Sequence, residues 1–368
     1  MDLGIIGLER SGKTAVFVAV TGGHARAASY GGTEPNIGVV KVPDERLDRL
    51  CAALTTRKVT QAEARYLDFP GSLSVRGEGP AGAHLAALAQ VDALVHVVRV
   101  FRDEAVAHPE GSVDGHRDIA SMNLELAFAD AAMLERRYER LEIAVRSARP
   151  GERDAGEREL ALVQRLREAL EREEPLRVQQ LSPDERRLIS GYQLLTDKPL
   201  LILINIDESD IGRAHEIEEE FSTRWAGPGP GPGPGTDVAS LCGKLEQELT
   251  ELSEEEAAEF RRELGLEEGG LERMIRVSQR VLGLLTFFTV NEAEGRAWAI
   301  PAGSTALEAA GKVHTDISRG FIRAEVIDSE ELVAAGSLAE ARKRGLLRTE
   351  GKQYVVQDGE LLHILFNV

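Results

Sequence analysis

The segment Gly7-Leu8-Glu9-Arg10-Ser11-Gly12-Lys13-Thr14 places four residues between two glycines and ends on lysine and a hydroxyl residue. That pattern suits the binding of a polyphosphate. Glycines let successive backbone N–H groups curl around phosphate oxygens, Lys13 brings a mobile positive charge to the β and γ groups, and Thr14 offers a hydroxyl to Mg²⁺. The flanks agree: the apolar run Leu3 to Ile6 reads as a strand, and Ala15 to Val20 reads as the start of a helix. Glu9, Arg10, Ser11, Gly12, Lys13 and Thr14 are therefore expected to line a nucleoside triphosphate, with Lys13 also stabilising charge during phosphoryl transfer.

Two later segments complete this chemistry. Asp68-Phe69-Pro70-Gly71 closes a probable strand, where Asp68 would support the metal and the Gly71 N–H would sense the γ-phosphate. Leu201 to Ile204 runs into Asn205-Ile206-Asp207-Glu208. A guanine-reading loop would be N-K-x-D, its carboxylate accepting from guanine N1 and N2. Here Ile206 stands at the lysine position and Glu208 at the aspartate position. One extra methylene misplaces the carboxylate, and an unmatched guanine donor is costly, so adenine becomes the expected base, read by backbone near Ile206 and by the amide of Asn205.

These residues must be held by a scaffold. At 368 residues the chain exceeds one ordinary core and implies two or three domains. Its formal net charge of −18 argues against a uniformly basic nucleic-acid binder, so no DNA partner is expected. Cys51 and Cys242 stand in no metal-ligand or disulfide spacing and read as buried reduced thiols. No stretch approaches a membrane span and the N-terminus lacks a basic leader, so a cytoplasmic location is expected. The apolar runs Leu3 to Ile6, Ala93 to Val98 and Leu200 to Ile204 alternate with helical patterns, as in a parallel α/β sheet. Between them, Leu134, Tyr138, Leu141 and Val145, then Leu160, Val163, Leu166 and Leu170, predict an antiparallel coiled-coil hairpin over 126–190, turning at Arg149-Pro150-Gly151. The Gly-Pro run over 227–235 reads as a surface loop, and 283–368 as a small α+β domain with strands at Leu285 to Val290, Arg296 to Ile300, Phe321 to Ile327, Tyr354 to Val356 and Leu362 to Phe366. The nucleotide domain then comprises 1–125 and 191–282.

With these motifs in place the chain resembles the Obg-like ATPases of YchF type along nearly its whole length. The resemblance is carried by Thr33-Glu34-Pro35-Asn36-Ile37-Gly38-Val39, Gly77-Glu78-Gly79, Val97 to Phe101, the Asn-x-x-Glu loop, Leu285 to Thr289, Ala310 to Asp316, Arg319 to Val326 and Tyr354 to Gly359. It implies a Ras-like G domain split by the coiled-coil insertion, a C-terminal TGS domain of β-grasp type, ATP hydrolysis in preference to GTP, and association with the ribosome, its large subunit and RNA in particular. The chain departs from the family at two places. By ungapped alignment the metal-binding threonine falls on Gly32, with Thr33 one residue later as the expected Mg²⁺ ligand. After D-x-x-G, Ser72 stands where a water-orienting glutamine sits in Ras-type enzymes and an apolar residue in this family.

Without glutamine another group must orient the attacking water. His108, in Ala107-His108-Pro109-Glu110-Gly111 at a position where the family has histidine, is the candidate, since a neutral imidazole accepts a hydrogen bond; Glu110 is a weaker one. His314 beside Thr315-Asp316 reads as structural. Arg342-Lys343-Arg344 with Arg348 and Lys352 is the densest basic stretch, either an RNA contact or an ordinary solvated helix end. Two functions remain open: a slow Mg²⁺-dependent ATPase switch, and a nucleotide-gated ribosome-binding module with little hydrolysis. The Asn205 to Glu208 loop disfavours a guanine-specific GTPase.

Overall fold

A computed structural model describes residues 1–22, 35–69, 81–227, 235–266 and 268–367. Gly32, Thr33, Gly71, Ser72 and most of the Gly-Pro run lie outside the described residues. In chain order the elements begin β1 (Asp2–Ile6), α1 (Lys13–Val20), β2 (Asn36–Val42), α2 (Glu45–Ala53), β3 (Val59–Thr60), β4 (Ala62–Asp68), α3 (Ala81–Gln90) and β5 (Ala93–Arg99). They continue with α4 (Gly115–Ser147), α5 (Pro150–Glu171), α6 (Pro183–Ile189), β6 (Leu200–Asn205), α7 (Ala214–Trp225), β7 (Thr236–Leu241), α8 (Gly243–Leu249), α9 (Glu254–Glu263) and α10 (Gly270–Val281). The last stretch holds β8 (Leu284–Val290), β9 (Gly295–Pro301), α11 (Ala306–Val313), α12 (Thr315–Arg319), β10 (Phe321–Asp328), α13 (Ser329–Ala335), α14 (Leu338–Lys343), β11 (Arg348–Glu350) and β12 (Glu360–Phe366).

The chain divides into two compact units, one of residues 2–39 and 65–281, the other of Met1, 40–64 and 282–368. The first is built on a sheet of order β2-β4-β1-β5-β6-β7, whose β4, β1, β5, β6 and β7 pair in parallel. Every residue of β5 and β6 is buried, which explains their unbroken apolar runs: strands covered on both faces need no polar alternation. Parallel pairing sends Ile6, Asp68, Arg99 and Asn205, the last residues of their strands, to one edge, where such sheets bind ligands.

The helical hairpin follows its heptad pattern, with a difference at its base. α4 starts at Gly115, where Asp114 caps it by accepting from the Arg117 N–H, 3.0 Å away. Its first turns place Ile119, Met122 and Leu126 in the sheet core, and from Ala127 onward it joins a second core that holds Leu134, Leu141, Val163 and Leu166. One continuous helix thus serves two cores, which a periodicity reading starting at 126 splits. The turn falls at Ala148-Arg149, with Pro150 at the first position of α5, where its missing N–H costs nothing.

In the second unit the sheet order is β11-β10-β12-β8-β9-β3. Alternation sends Phe288 and Leu361 to one face and Phe287 and Leu362 to the other. The first face is closed by Leu47, Leu50 and Cys51 of α2, a segment the sequence reading placed with the nucleotide domain. Tyr354–Val356 forms no strand: Val355 makes one isolated bridge to Thr305, and Arg348–Glu350 supplies the edge strand instead. No helix among the described residues is long and apolar enough to cross a membrane.

Candidate functional site

The loop between β1 and α1 has the backbone its glycines foretell. Gly12, at φ +93, leads into α1, and a side chain there would collide with Nδ2 of Asn205. Gly7 has φ +150, and a Cβ would lie 2.5 Å from the Val97 carbonyl. Both positions need glycine for space as well as for angle. The free N–H groups of the first turn of α1 therefore open onto the strand ends.

Lys13 folds over this loop, its Nζ donating to the carbonyls of Gly7 at 2.9 Å and Leu8 at 2.8 Å. Burial pulls its pKa down to about 8, while Asp68 and Glu9 pull it back up. The ammonium thus sits in a poorly solvated place with only neutral carbonyls as direct partners, so phosphate oxygens would be better ones. Asp68 ends β4 beside it. Its Oδ2 lies 3.5 Å from Thr14 Oγ1 and accepts from Asn36 Nδ2 at 3.2 Å, whereas Oδ1 is buried with no partner. Burial pushes the Asp68 carboxyl up; Asn36, Lys13 and Thr14 oppose that. A hydroxyl and a carboxylate side by side, with one carboxylate oxygen left over, fit the few protein oxygens that Mg²⁺ takes beside water and phosphate. Thr33, the other expected ligand, lies outside the described residues.

Asn205 has a structural role beside the base contact expected of it. Its Nδ2 donates to the Ser11 carbonyl at 3.0 Å and its Oδ1 accepts from Gly243 N at 3.0 Å, so the amide ties the phosphate loop to β6 and to the start of α8. Ile206 is 3% exposed and packs into the sheet core, and Asp207 accepts from Ser209 N and Oγ. Of the residues expected at the base, the side chain of Glu208 is exposed. A cavity of about 730 Å³ touches Ile206, Leu241 and Cys242, yet no residue of the phosphate loop lines it.

The loop after β5 is drawn to the phosphate loop by Arg10, whose Nη1 donates to the Ala107 carbonyl at 3.0 Å. Arg99, fully buried, organises it from within by donating to the carbonyls of Phe101, Asp103 and Val106. Its guanidinium also stacks 4.5 Å from the centre of the Phe101 ring, and that ring borders Gly12. Val97 to Phe101 stood among the segments that carry the family resemblance, but no role for Arg99 or Phe101 was legible in the sequence. His108 is buried on this loop with both nitrogens engaged: Nε2 meets Asp118 Oδ2 at 2.9 Å, and Nδ1 accepts from Glu110 N at 3.1 Å. In this conformation neither nitrogen has a lone pair open to water.

The remaining sequence candidates are satisfied locally. His314 caps α12 by accepting from Asp316 N. Arg342, Lys343, Arg344 and Arg348 each face a carboxylate, on Glu325, Glu340, Glu340 and Glu360. That basic stretch therefore holds less free charge than its sequence suggests.

Comparison with known proteins places this geometry. Residues 284–367 match a family model described as YchF-GTPase_C, a protein of unknown function (DUF933). The chain is 38% identical to the Ribosome-binding ATPase YchF of Bacillus subtilis over 100% of both chains, and 36% identical to that of Escherichia coli O157:H7 over 99% of both. Its fold is similar to the structure of the Schizosaccharomyces pombe YchF GTPase, with a TM-score of 0.80 and 30% identity over 99% of this chain and 97% of that one. On full-length identity to these relatives, the chain belongs to the YchF family.

Proposed function

We propose that this chain is a Mg²⁺-dependent NTPase that hydrolyses ATP in preference to GTP and acts as a slow, cytoplasmic nucleotide switch on the ribosome, with the large subunit and its RNA as the docking surface. The observation that carries the hydrolase reading is the meeting of Lys13, Thr14 and Asp68 at the strand ends. The ribosome reading rests on the relatives' name, Ribosome-binding ATPase.

In this reading the amides of 9–14 cradle the phosphates, and Lys13 exchanges the carbonyls of Gly7 and Leu8 for β and γ oxygens. Thr14 and Asp68 would hold Mg²⁺, joined by Thr33, and the ion would neutralise charge building on the phosphoryl oxygens. ATP preference follows from the missing guanine-reading carboxylate at Glu208. Asn205 spends one Nδ2 hydrogen on Ser11, and its second would serve the base together with backbone near Ile206 and the Phe101 ring. His108 would orient water once the Glu110 N–H releases Nδ1. With no arginine supplied from outside, turnover should be slow, on the order of 10⁻⁴ to 10⁻² per second. The units 1–125 with 191–282, 126–190 and 283–368 would divide hydrolysis from docking.

A second reading, a nucleotide-gated binding module with little hydrolysis, is favoured by the engaged nitrogens of His108. Steady-state phosphate release with Mg²⁺ and ATP or GTP, with and without ribosomes, separates the two. Turnover of ATP that Lys13→Ala abolishes and His108→Ala slows supports the ATPase. ATP binding without phosphate release, even on ribosomes, leaves the module.

A further inference from the structure

The surroundings of His108 fix where its proton sits. Two groups approach Nδ1: the Glu110 N–H at 3.1 Å and Nη2 of Arg117 at 3.5 Å. Both can only donate, so Nδ1 carries no hydrogen. The proton then lies on Nε2 and points at Oδ2 of Asp118, 2.9 Å away. Asp118 is buried at 3% side-chain exposure in the first turn of α4. Its other oxygen, Oδ1, accepts from Nε of Arg117 at 3.1 Å and from Nη2 at 2.8 Å. Arg117 is itself anchored on Ser112, through Oγ at 3.0 Å and the carbonyl at 2.6 Å. The carboxylate is thus clamped on one side by a guanidinium and offers the other side to the imidazole.

We propose that Asp118 is a positioning residue for hydrolysis: it holds His108 as the Nε2–H tautomer, so that Nδ1 is the acceptor to which water binds when the Glu110 N–H lets go. The proposal rests on the reading that His108 orients the attacking water, and it names what makes that imidazole competent. A histidine in the opposite tautomer would present an N–H to water, orienting the wrong lone pair toward phosphorus. The Glu110 N–H is the latch, keeping Nδ1 occupied while the loop over 101–114 is in this conformation.

Asp118→Asn tests this with a predictable inversion. Arg117 would bind the carbonyl end of the new amide, since guanidinium cannot face an NH₂, leaving that NH₂ toward Nε2 of His108. The proton would move to Nδ1, where it opposes the Glu110 N–H, so that hydrogen bond is lost as well. Single-turnover phosphate release at saturating ATP should fall at least about tenfold, toward the rate of His108→Ala, with ATP affinity within about twofold of wild type, and ¹⁵N NMR of the imidazole should report protonation exchanged between the two nitrogens. Adding Arg117→Met frees the amide to turn its oxygen to Nε2, so the double variant should release phosphate faster than Asp118→Asn alone; a merely structural Asp118 would make it slower.

The outcomes separate the two layers. Unchanged release by His108→Ala overturns the water-orienting reading itself. Slow His108→Ala beside an Asp118→Asn variant at wild-type rate overturns only the assignment of Asp118. Should Asp118→Asn not fold, the wild-type imidazole spectrum decides: protonated Nε2 supports the assignment, and protonated Nδ1 overturns it.

Discussion

Asn205 reaches from the last position of β6 to the carbonyl of Ser11, 3.0 Å away, and receives the N–H of Gly243 on its other end at 3.0 Å. One buried amide therefore sets the spacing between the phosphate loop and the two strand ends beyond it. Asn205→Ala removes both bonds and leaves the Ser11 carbonyl and Gly243 N–H unmatched, at a cost of roughly 1–3 kcal/mol. ATP should bind on the order of tenfold more weakly, and thermal stability should fall. Calorimetric titration with the Mg²⁺ complex of a non-hydrolysable ATP analogue checks this; unchanged affinity would show that the loop holds its shape without the tether.

This tether marks where sequence reading stopped. The meeting of Gly7, Gly12, Lys13, Thr14 and Asp68 was legible because it depends on local spacing and strand ends. Asn205 was legible as a residue, but its tether was not, because its partners Ser11 and Gly243 are brought to it only by the strand order. Arg99 and Phe101 stood in a segment that carries the family resemblance, but their stacking did not show, and Asp118 gave no signal, since a loop's internal bonding follows from its path. The hairpin was visible in its heptads, but its root was not, because α4 changes partners without changing period. The packing of α2 under β8 and β12 is a contact between segments more than 200 residues apart, and periodicity within α2 says only that it has an apolar face.

That packing has a direct consequence for the terminal domain. Leu47 and Leu50 are fully buried and Cys51 nearly so, against Phe288, Val290, Ile327 and Leu361. Arg46 adds an ion pair to Asp358 at 2.7 Å and stacks 5.5 Å from the centre of the Phe288 ring. A fragment of 282–368 alone would expose this face, losing about 1.5–3 kcal/mol for each large side chain left uncovered. It should be unfolded or aggregated, and a fragment joining 40–64 to 282–368 through a flexible linker should fold. A sharp, dispersed amide spectrum from 282–368 alone would sink this expectation.

Asp130 fastens the base of the hairpin. From α4 it accepts from Leu195 N at 2.9 Å, Thr196 N at 2.7 Å and Thr196 Oγ1 at 2.6 Å, so the chain entering β6 hangs from one carboxylate. Burial pushes its carboxyl up, against the pull of these donors and of Arg177, which burial lowers to about 10. Asp130→Ala leaves three donors unmatched and the buried Arg177 with Asp197 as its remaining carboxylate, and should destabilise the unit by about 3 kcal/mol. Denaturant unfolding followed by tryptophan fluorescence measures this, and a loss under 1 kcal/mol would mean that water replaces the carboxylate.

His96 makes stability depend on pH. It sits in the middle of β5, 1% exposed, opposite Ile6 and Ile202, with neither ring nitrogen hydrogen-bonded. Burial, helped by the charge of Lys13, lowers its pKa to about 3. In the unfolded chain it returns to about 6.5. Between these values the unfolded state binds a proton that the folded state refuses, so this residue's contribution to stability falls as the pH falls, by up to about 1.4 kcal/mol per pH unit below 6.5. Asp68 and Asp130, held up by burial, act in the opposite direction, so the wild-type curve alone does not isolate the histidine. His96→Leu does. It should be neutral or stabilising at pH 7.5, since it removes two unsatisfied polar atoms, and its advantage over wild type should widen steadily from pH 6.5 to 4.5. Melting temperatures of both proteins across that range, with nucleotide absent, give the difference; a constant gap would mean that His96 takes up its proton in the folded state as readily as in the unfolded one.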